Sequence, residues 1–337
     1  MTPRAIIKAW PQGEIPSRPL LMPILFSLGA RLENLPLRDF QSNPTKIANA
    51  LRQIRGVLKV DGLTCYCDPL LEAEALGCTR EWRADGSCVL VRPSFSVDDL
   101  RQKLNAPESL AGKGRIPVAC EVLQRLKVML RDEPALVSRV TGPFTLAAQL
   151  LGRDKAVSDS TPLPAEAVEF AAEVAASVAK VFLEAGANVI LLTEPSFPEV
   201  TPQTCEWYAS LLAPVFNVIR FYEALPVLLL PAPLGSEVSR AVILGRGWDC
   251  VVCPILGDTD FFGEQSPGQG TGVALPGSVF EGNQLNHNDL EDSLRKLVQG
   301  QKLVLLTSAD DVSGAADPKL LARVLGGIRA LFTASDG

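Results

Sequence analysis

The sequence predicts an α/β protein folded as a closed (β/α)8 TIM barrel. Three observations carry that expectation. Eight apolar runs of strand length recur along the 337 residues. Amphipathic segments of helical length stand between most of them. The strand runs are continuously hydrophobic rather than alternating, the pattern of parallel strands covered on both faces.

In chain order, the first strand is read at Leu20–Phe26 and its helix at Pro44–Leu58. Asn43-Pro44 starts that helix with a capping side chain and a first-turn proline. The second strand, Gly62–Tyr66, leads at once into a short acidic helix, Leu70–Leu76. Trp82–Val91, with Asp85-Gly86 at its centre, reads as a β-hairpin inserted in this second unit. Ser94–Arg131 supplies extra helices there. Six further strands are read at Leu136–Val140, Asn188–Thr193, Pro226–Leu230, Asp249–Cys253, Val273–Val279 and Lys302–Leu306. The helices between and after them are Phe144–Leu151 leading to Ala165–Ala185, then Pro202–Val218, Ser236–Leu244, Asn288–Val298 and Pro318–Phe332. The glycine-rich stretch Ser266–Gly272 reads as a mobile loop between the sixth and seventh strands. No repeat or linker marks a seam, so residues 1–337 are read as one barrel domain.

The formal charge is −6, from 32 basic and 38 acidic residues. No basic block is present, which argues against nucleic acid or an anionic membrane as partner. No uninterrupted apolar run reaches the roughly 18–20 residues of a membrane helix. The opening MTPRAIIKAWPQGEIP is broken by proline and charge, unlike a secretory leader. The cytoplasm is the expected location. Most of the eight cysteines sit inside hydrophobic runs, where a thiol packs as a small buried group. Cys250 and Cys253 form a C-x-x-C, but within a strand, where residues three apart face opposite ways. Cys65 and Cys67 share a strand face and lack a third ligand, so packing is the reading there too. No metal site is expected. His287 is the single histidine, which makes three-histidine zinc sites and facial triads hard to assemble.

Two carboxylates stand out. Asp68 lies where the second strand hands over to a helix, at the C-terminal mouth where barrel chemistry sits. It can orient a cationic nitrogen, take a proton or bind a hydroxyl. Asp68-Pro69 is equally a helix-start pair, and capping and function can coexist. Glu194 ends the apolar run NVILLTEPS and would project toward the same cleft, the alternative being a solvated loop glutamate. If both acids line one cavity, desolvation and mutual repulsion raise at least one pKa. That leaves a proton donor near neutral pH. Glu72 and Glu74 are two apart on a helix, so one reaches the cleft and the other faces solvent.

DGLTCYCDPLLEAEALGC (Asp61 to Cys78) resembles the segment after the second strand of the uroporphyrinogen decarboxylase superfamily. TGPFTLAAQLLG (Thr141 to Gly152) resembles the family's G-P-F-T-L-A element, and PGSVFEGNQLNHNDL (Pro276 to Leu290) its Q-G-N-L-D-P turn. The resemblance implies the barrel fold, places the carboxylate of Asp68 at the bottom of the active cleft, and implies barrels that often pair. Around Asp68 and Glu194 the substrate-binding set is read as Arg31, Tyr66, Glu72, Phe144, Asn283 and His287.

Three family patterns are missing. The decarboxylases' R-Q-A-G-R-Y element corresponds to FSLGARLENLPLR, where Arg31 and Arg38 lack the paired spacing that an octa-anionic porphyrinogen needs. Their histidine after the last strand is absent from LTSADDVSG. The superfamily's thiol methyltransferases bind zinc through a His-x-Cys after the fifth strand and a Cys after the eighth. Here Leu230 and Ala232, then Ser308 and Ala309, stand at the matching positions. The resemblance therefore implies a metal-free methyltransferase. It would use acid/base residues to move a methyl group from a small methylated donor to a corrinoid (cobalamin) carried by a partner protein, or to a similar carrier. The alternatives are a decarboxylase of a porphyrinogen or related aromatic acid, and a non-catalytic tetrapyrrole- or corrinoid-binding barrel.

Overall fold

The computed structural model describes residues 1–10, 18–84, 86–92, 95–96, 98–100, 110–131, 133–153, 162–197, 201–230, 248–254, 270–280 and 304–333. Eight parallel strands form a nearly closed barrel: β1 (Leu20–Leu21), β2 (Gly62–Tyr66), β5 (Ala135–Thr141), β6 (Val189–Thr193), β7 (Leu225–Leu229), β8 (Cys250–Pro254), β9 (Gly270–Leu275) and β10 (Val304–Ser308). Their order is β1-β10-β9-β8-β7-β6-β5-β2, so the seam falls between the first two strands of the chain. Asp61 spans that seam. Its backbone N–H donates to the Leu21 carbonyl at 2.8 Å, and its carboxylate accepts the Leu21 N–H at 2.9 Å.

Strands β3 (Thr79–Trp82) and β4 (Cys88–Arg92) pair antiparallel outside the barrel, as the Asp85-Gly86 signal predicts. Gly86 takes a left-handed φ of 82°, which glycine adopts without steric cost. The helices are α1 (Pro3–Ala9), α2 (Phe26–Leu32), α3 (Leu37–Phe40), α4 (Pro44–Leu58), α5 (Leu71–Ala75), α6 (Ile116–Leu130), α7 (Pro143–Leu150), α8 (Ala165–Ala185), α9 (Pro202–Phe221), α10 (Gly277–Phe280) and α11 (Pro318–Thr333). Helix α4 starts where Asn43 accepts the Lys46 N–H and buries Ile47, Leu51, Ile54 and Leu58 along one face. In α8, Ala167, Ala171, Ala175 and Ala179 recur every four residues, all fully buried. That stripe without side-chain bulk lets the helix lie close against its neighbours.

Two strands differ from expectation because proline ends a ladder. The first covers Leu20–Leu21 rather than Leu20–Phe26: Pro23 has no N–H to donate, and Phe26 already begins α2. The Ile24 N–H turns instead to the Ser308 hydroxyl at 2.9 Å. The seventh stops at Leu275 before Pro276, and Gly277–Phe280 is helical. It also starts earlier, so Gly270–Gly272 are strand rather than loop. A side chain at Gly272 would lie 2.7 Å from the Leu305 carbonyl oxygen, so glycine there permits the close approach of β10. The helices read at Ser236–Leu244 and Asn288–Val298 lie outside the described residues. Among the described residues no helix is long and apolar enough to cross a membrane.

Candidate active site

Strand β2 delivers Asp68 to the C-terminal end of the barrel, where it is 6 % exposed. One carboxylate oxygen accepts the Leu70 N–H at 3.0 Å; α5 begins only at Leu71, so this is a turn bond ahead of the helix rather than the cap of a helix starting at Pro69. The other accepts from Arg80 of β3 at 2.5 Å. Arg115, just before α6, stands 3.7 Å away. Glu74 shares both arginines, at 2.7 Å from Arg80 and 3.9 Å from Arg115. The inserted hairpin and the helix after it thus reach back over the mouth and set Asp68 in a four-membered charge cluster. Arg115 also donates to the Gln41 side chain at 2.6 Å, and the Tyr66 hydroxyl donates to the Gln41 carbonyl at 2.9 Å. Burial, with the charge of Asp68 adding to it, pushes the Tyr66 phenol pKa up, so the ring stays a neutral donor.

Glu194 follows β6 and is completely buried. It is held against the first turn of α7. The N–H groups of Phe144 and Thr145 donate to its two oxygens at 3.0 and 2.7 Å. The Thr145 hydroxyl donates to it as well, and the Tyr208 hydroxyl at 2.8 Å. Phe144 stacks on Tyr208 with 5.2 Å between centroids, and Phe197 meets both rings edge-on, so the carboxyl lies behind an aromatic wall. A Cβ at Gly142 would run into the Glu194 carboxyl group, which is why α7 is preceded by glycine. Desolvation raises the Glu194 pKa to about 7 even against these hydrogen bonds. The solvated-loop alternative does not describe this side chain.

Between the two acids runs β5, which neighbours both β2 and β6. Its last residue, Thr141, donates to Glu72 through its N–H at 3.1 Å and its hydroxyl at 2.7 Å. Glu72 is buried and its pKa is raised by desolvation, while Glu74 faces the arginines. Asp68 and Glu194 share one end of the barrel two strands apart, and among the described residues no hydrogen bond joins them.

Of the other residues predicted to bind substrate, Tyr66 lies under the Asp68 cluster and Phe144 in the aromatic wall. Arg31 is exposed and donates to the carbonyls of Gly314 and Ala316, at 3.1 and 2.8 Å, pinning the loop before α11. Asn283 and His287 lie outside the described residues.

Sequence reasoning passed over Arg139, although a lone cation inside the apolar run ALVSRVT was its signal. Its Nε donates to the Thr193 hydroxyl at 2.9 Å and its Nη1 to the Cys67 sulfur at 3.3 Å. Burial opposes its charge, but Cys67, Asp310 and Glu72 leave its pKa raised overall, so it is a fixed cation. Among the described residues no carboxylate makes an ion pair with it. The Cys67 thiol is pushed up to about 12 by burial and stays protonated. Asp311, after β10, was missed as well. It accepts the N–H groups of Phe26 and Ser27 at 2.8 and 3.0 Å and the Ser27 hydroxyl at 2.7 Å, and burial lifts its pKa to about 6.

Sequence and structure comparisons bear on this arrangement. A stretch of 132 residues is 25% identical to the methylated-thiol–coenzyme M methyltransferase of Methanosarcina mazei, covering 38% of this chain and 35% of that protein. Another, of 136 residues, is 27% identical to the methylcobamide:CoM methyltransferase MtaA of Methanosarcina barkeri, covering 39% of each. The matches thus span little more than a third of these relatives. A solved methyltransferase from Methanosarcina mazei superposes over 99% of both chains with a TM-score of 0.76 at 17% identity. A B12-independent methionine synthase from Shewanella sp. W3-18-1, solved with selenomethionine, covers 87% of this chain and 88% of its own, with a TM-score of 0.52 at 12% identity. The family model described as uroporphyrinogen decarboxylase (URO-D) matches residues 3–224, and the chain belongs to that family.

Proposed function

We propose that this protein is a methyltransferase that takes a methyl group from a small methylated donor and passes it to a corrinoid protein or similar carrier. The observation that carries the reading is Glu194, a buried carboxyl with a pKa of about 7 at the barrel end that faces substrate in this fold. When a methyl carbon leaves a donor oxygen or nitrogen, the bonding pair stays on that atom, which must then gain a proton. Glu194 is the reservoir for that proton. The Thr145 and Tyr208 hydroxyls that touch it are the atoms through which the proton passes, and solvent restores it between turnovers. Asp68 orients the donor at the mouth, and Arg139 offers a fixed cation to an acidic group on it.

A zinc centre of the thiol-methyltransferase kind does not fit these residues. Leu230 is buried and apolar, Ser308 spends its hydroxyl oxygen on the Ile24 N–H, and neither Ala232 nor Ala309 has a side-chain donor atom. Decarboxylation of a pyrrole would need Asp68 to steady a protonated ring. Arg80 and Arg115 already neutralise that carboxylate, which disfavours the decarboxylase alternative.

The test is spectroscopic. The protein is mixed with reduced cobalamin and a panel of O- and N-methylated acids, and methylation of the cobalt is followed in the visible. Turnover is expected, with a rate falling above about pH 7 and lowered roughly 100-fold or more by Glu194→Gln. Absence of methylation across the panel, or a Glu194→Gln protein as active as the parent, defeats the proposal.

A further inference from the structure

At the opposite end of the barrel from Asp68, a cavity of about 370 Å³ opens below the β1–β2 seam. Among the described residues four cations face it, Arg18, Arg55, Lys59 and Arg329, against one carboxylate, Asp61. In a chain of net charge −6 such a concentration of positive charge is a local construction. Arg18 is already committed, because it forks onto both Asp61 oxygens at 2.8 and 2.7 Å.

The other three cations are under-used. Among the described residues Arg55 has only the exposed Glu133 at 4.0 Å, and its buried Nε has no hydrogen-bond partner there. Lys59, which ends α4 in a left-handed turn, is exposed and has no ion-pair partner among the described residues. Arg329 gives one N–H to the Leu58 carbonyl. Burial lowers the Arg329 pKa against the opposing charge of Asp61, with the nearby charges of Arg55 and Arg18 adding to the lowering. Beside them the wall turns apolar at Leu21, Ile328 and Phe332.

Two forks and an ammonium around one space match the three equivalent oxygens and near-double charge of a phosphate monoester better than a single carboxylate. The volume lies within the range of small-ligand sites. We propose that this cavity binds a phosphate monoester carrying a small apolar group. The phosphate sits among Arg55, Lys59 and Arg329, and the apolar group lies on Leu21, Ile328 and Phe332. The site is independent of the reaction at the mouth.

Isothermal titration of the whole protein with phenyl phosphate tests it. One saturable site is expected, weakened by added salt. Affinity should drop roughly tenfold or more in Arg55→Ala and in Lys59→Glu, and should be unchanged in Asp68→Ala. Lys59 is exposed, so its variant is expected to fold, and the far-UV spectrum checks this. Inorganic phosphate should bind more weakly, since it leaves the apolar wall empty. The proposal is overturned if phenyl phosphate gives no saturable heat at millimolar concentration, or if the two basic-site variants bind as tightly as the parent. It is equally overturned if inorganic phosphate binds as well as the ester, or if Asp68→Ala abolishes binding and so moves the ligand to the mouth.

Discussion

Three carboxylates at the C-terminal end of this barrel each accept backbone N–H groups at, or just ahead of, a helix start. Asp68 receives the Leu70 N–H just ahead of α5, Glu194 two N–H groups of α7, and Asp311 those of α2. The helix starts supply donors and positive potential, yet burial outweighs them at Glu194 and Asp311. Folded Glu194 keeps its proton to about pH 7 and Asp311 to about pH 6, whereas the unfolded chain releases both near their ordinary values of about 4. Between those limits the folded state binds more protons. Stability is therefore fully present below about pH 4 and falls as pH rises through 6 and 7. Urea unfolding should give a free energy lower at pH 7.5 than at pH 5 by roughly 1 to 4 kcal/mol. Glu194→Gln should remove much of that slope; equal slopes in parent and variant contradict the assignment. Gly142→Ala puts a methyl 2.7 Å from the Glu194 carboxyl carbon. A loss of about 1–3 kcal/mol is expected from that overpacking, read as a lowered urea midpoint.

At the scale of elements, the inserted hairpin is the feature that turns a barrel end into this particular site. Without β3, Asp68 and Glu74 would face each other lacking the Arg80 guanidinium that joins them. The Arg80 side chain is largely covered, and among the described residues its Nε and Nη1 have no hydrogen-bond partner, so two acids hold it through a single nitrogen. Removing one partner of a buried cluster strands the others. Arg80→Ala should cost about 3–5 kcal/mol, and the hairpin amides should exchange hydrogen faster than in the parent. A loss under about 1 kcal/mol would place the cluster effectively in solvent.

Over the whole molecule, closure depends on one residue where a full ladder is missing. Strands β1 and β2 meet through Asp61, which takes the Leu21 N–H and the fork of Arg18. Asp61→Ala leaves a buried backbone donor and a half-exposed guanidinium without their acceptor. A loss of about 2–4 kcal/mol is expected in thermal or urea unfolding. Asp61→Asn, which keeps one acceptor oxygen, should lose less; equal losses would mean the seam is held by packing alone.

Much of this architecture was legible because it is local. Continuous apolar runs specify strands buried on both faces, and Asn43-Pro44 and Asp85-Gly86 specify a helix start and a turn from adjacent residues alone. Pro44–Leu58, Gly62–Tyr66 and Ala165–Ala185 fall where the periodicity places them. Asp68 and Glu194 were visible as acids ending apolar runs. Hidden from the sequence were the partners that decide what those acids are. Arg80 is 12 residues from Asp68 and Tyr208 is 14 from Glu194, while Arg139 reaches Cys67 across 72. Burial, and with it the proton on Glu194, belongs to those long-range contacts. Patterning along the chain decided which segments become strands and helices. Only the closed barrel decided which charges are neutralised, which keep a proton, and which, like Arg55 and Arg329, are left facing an open cavity.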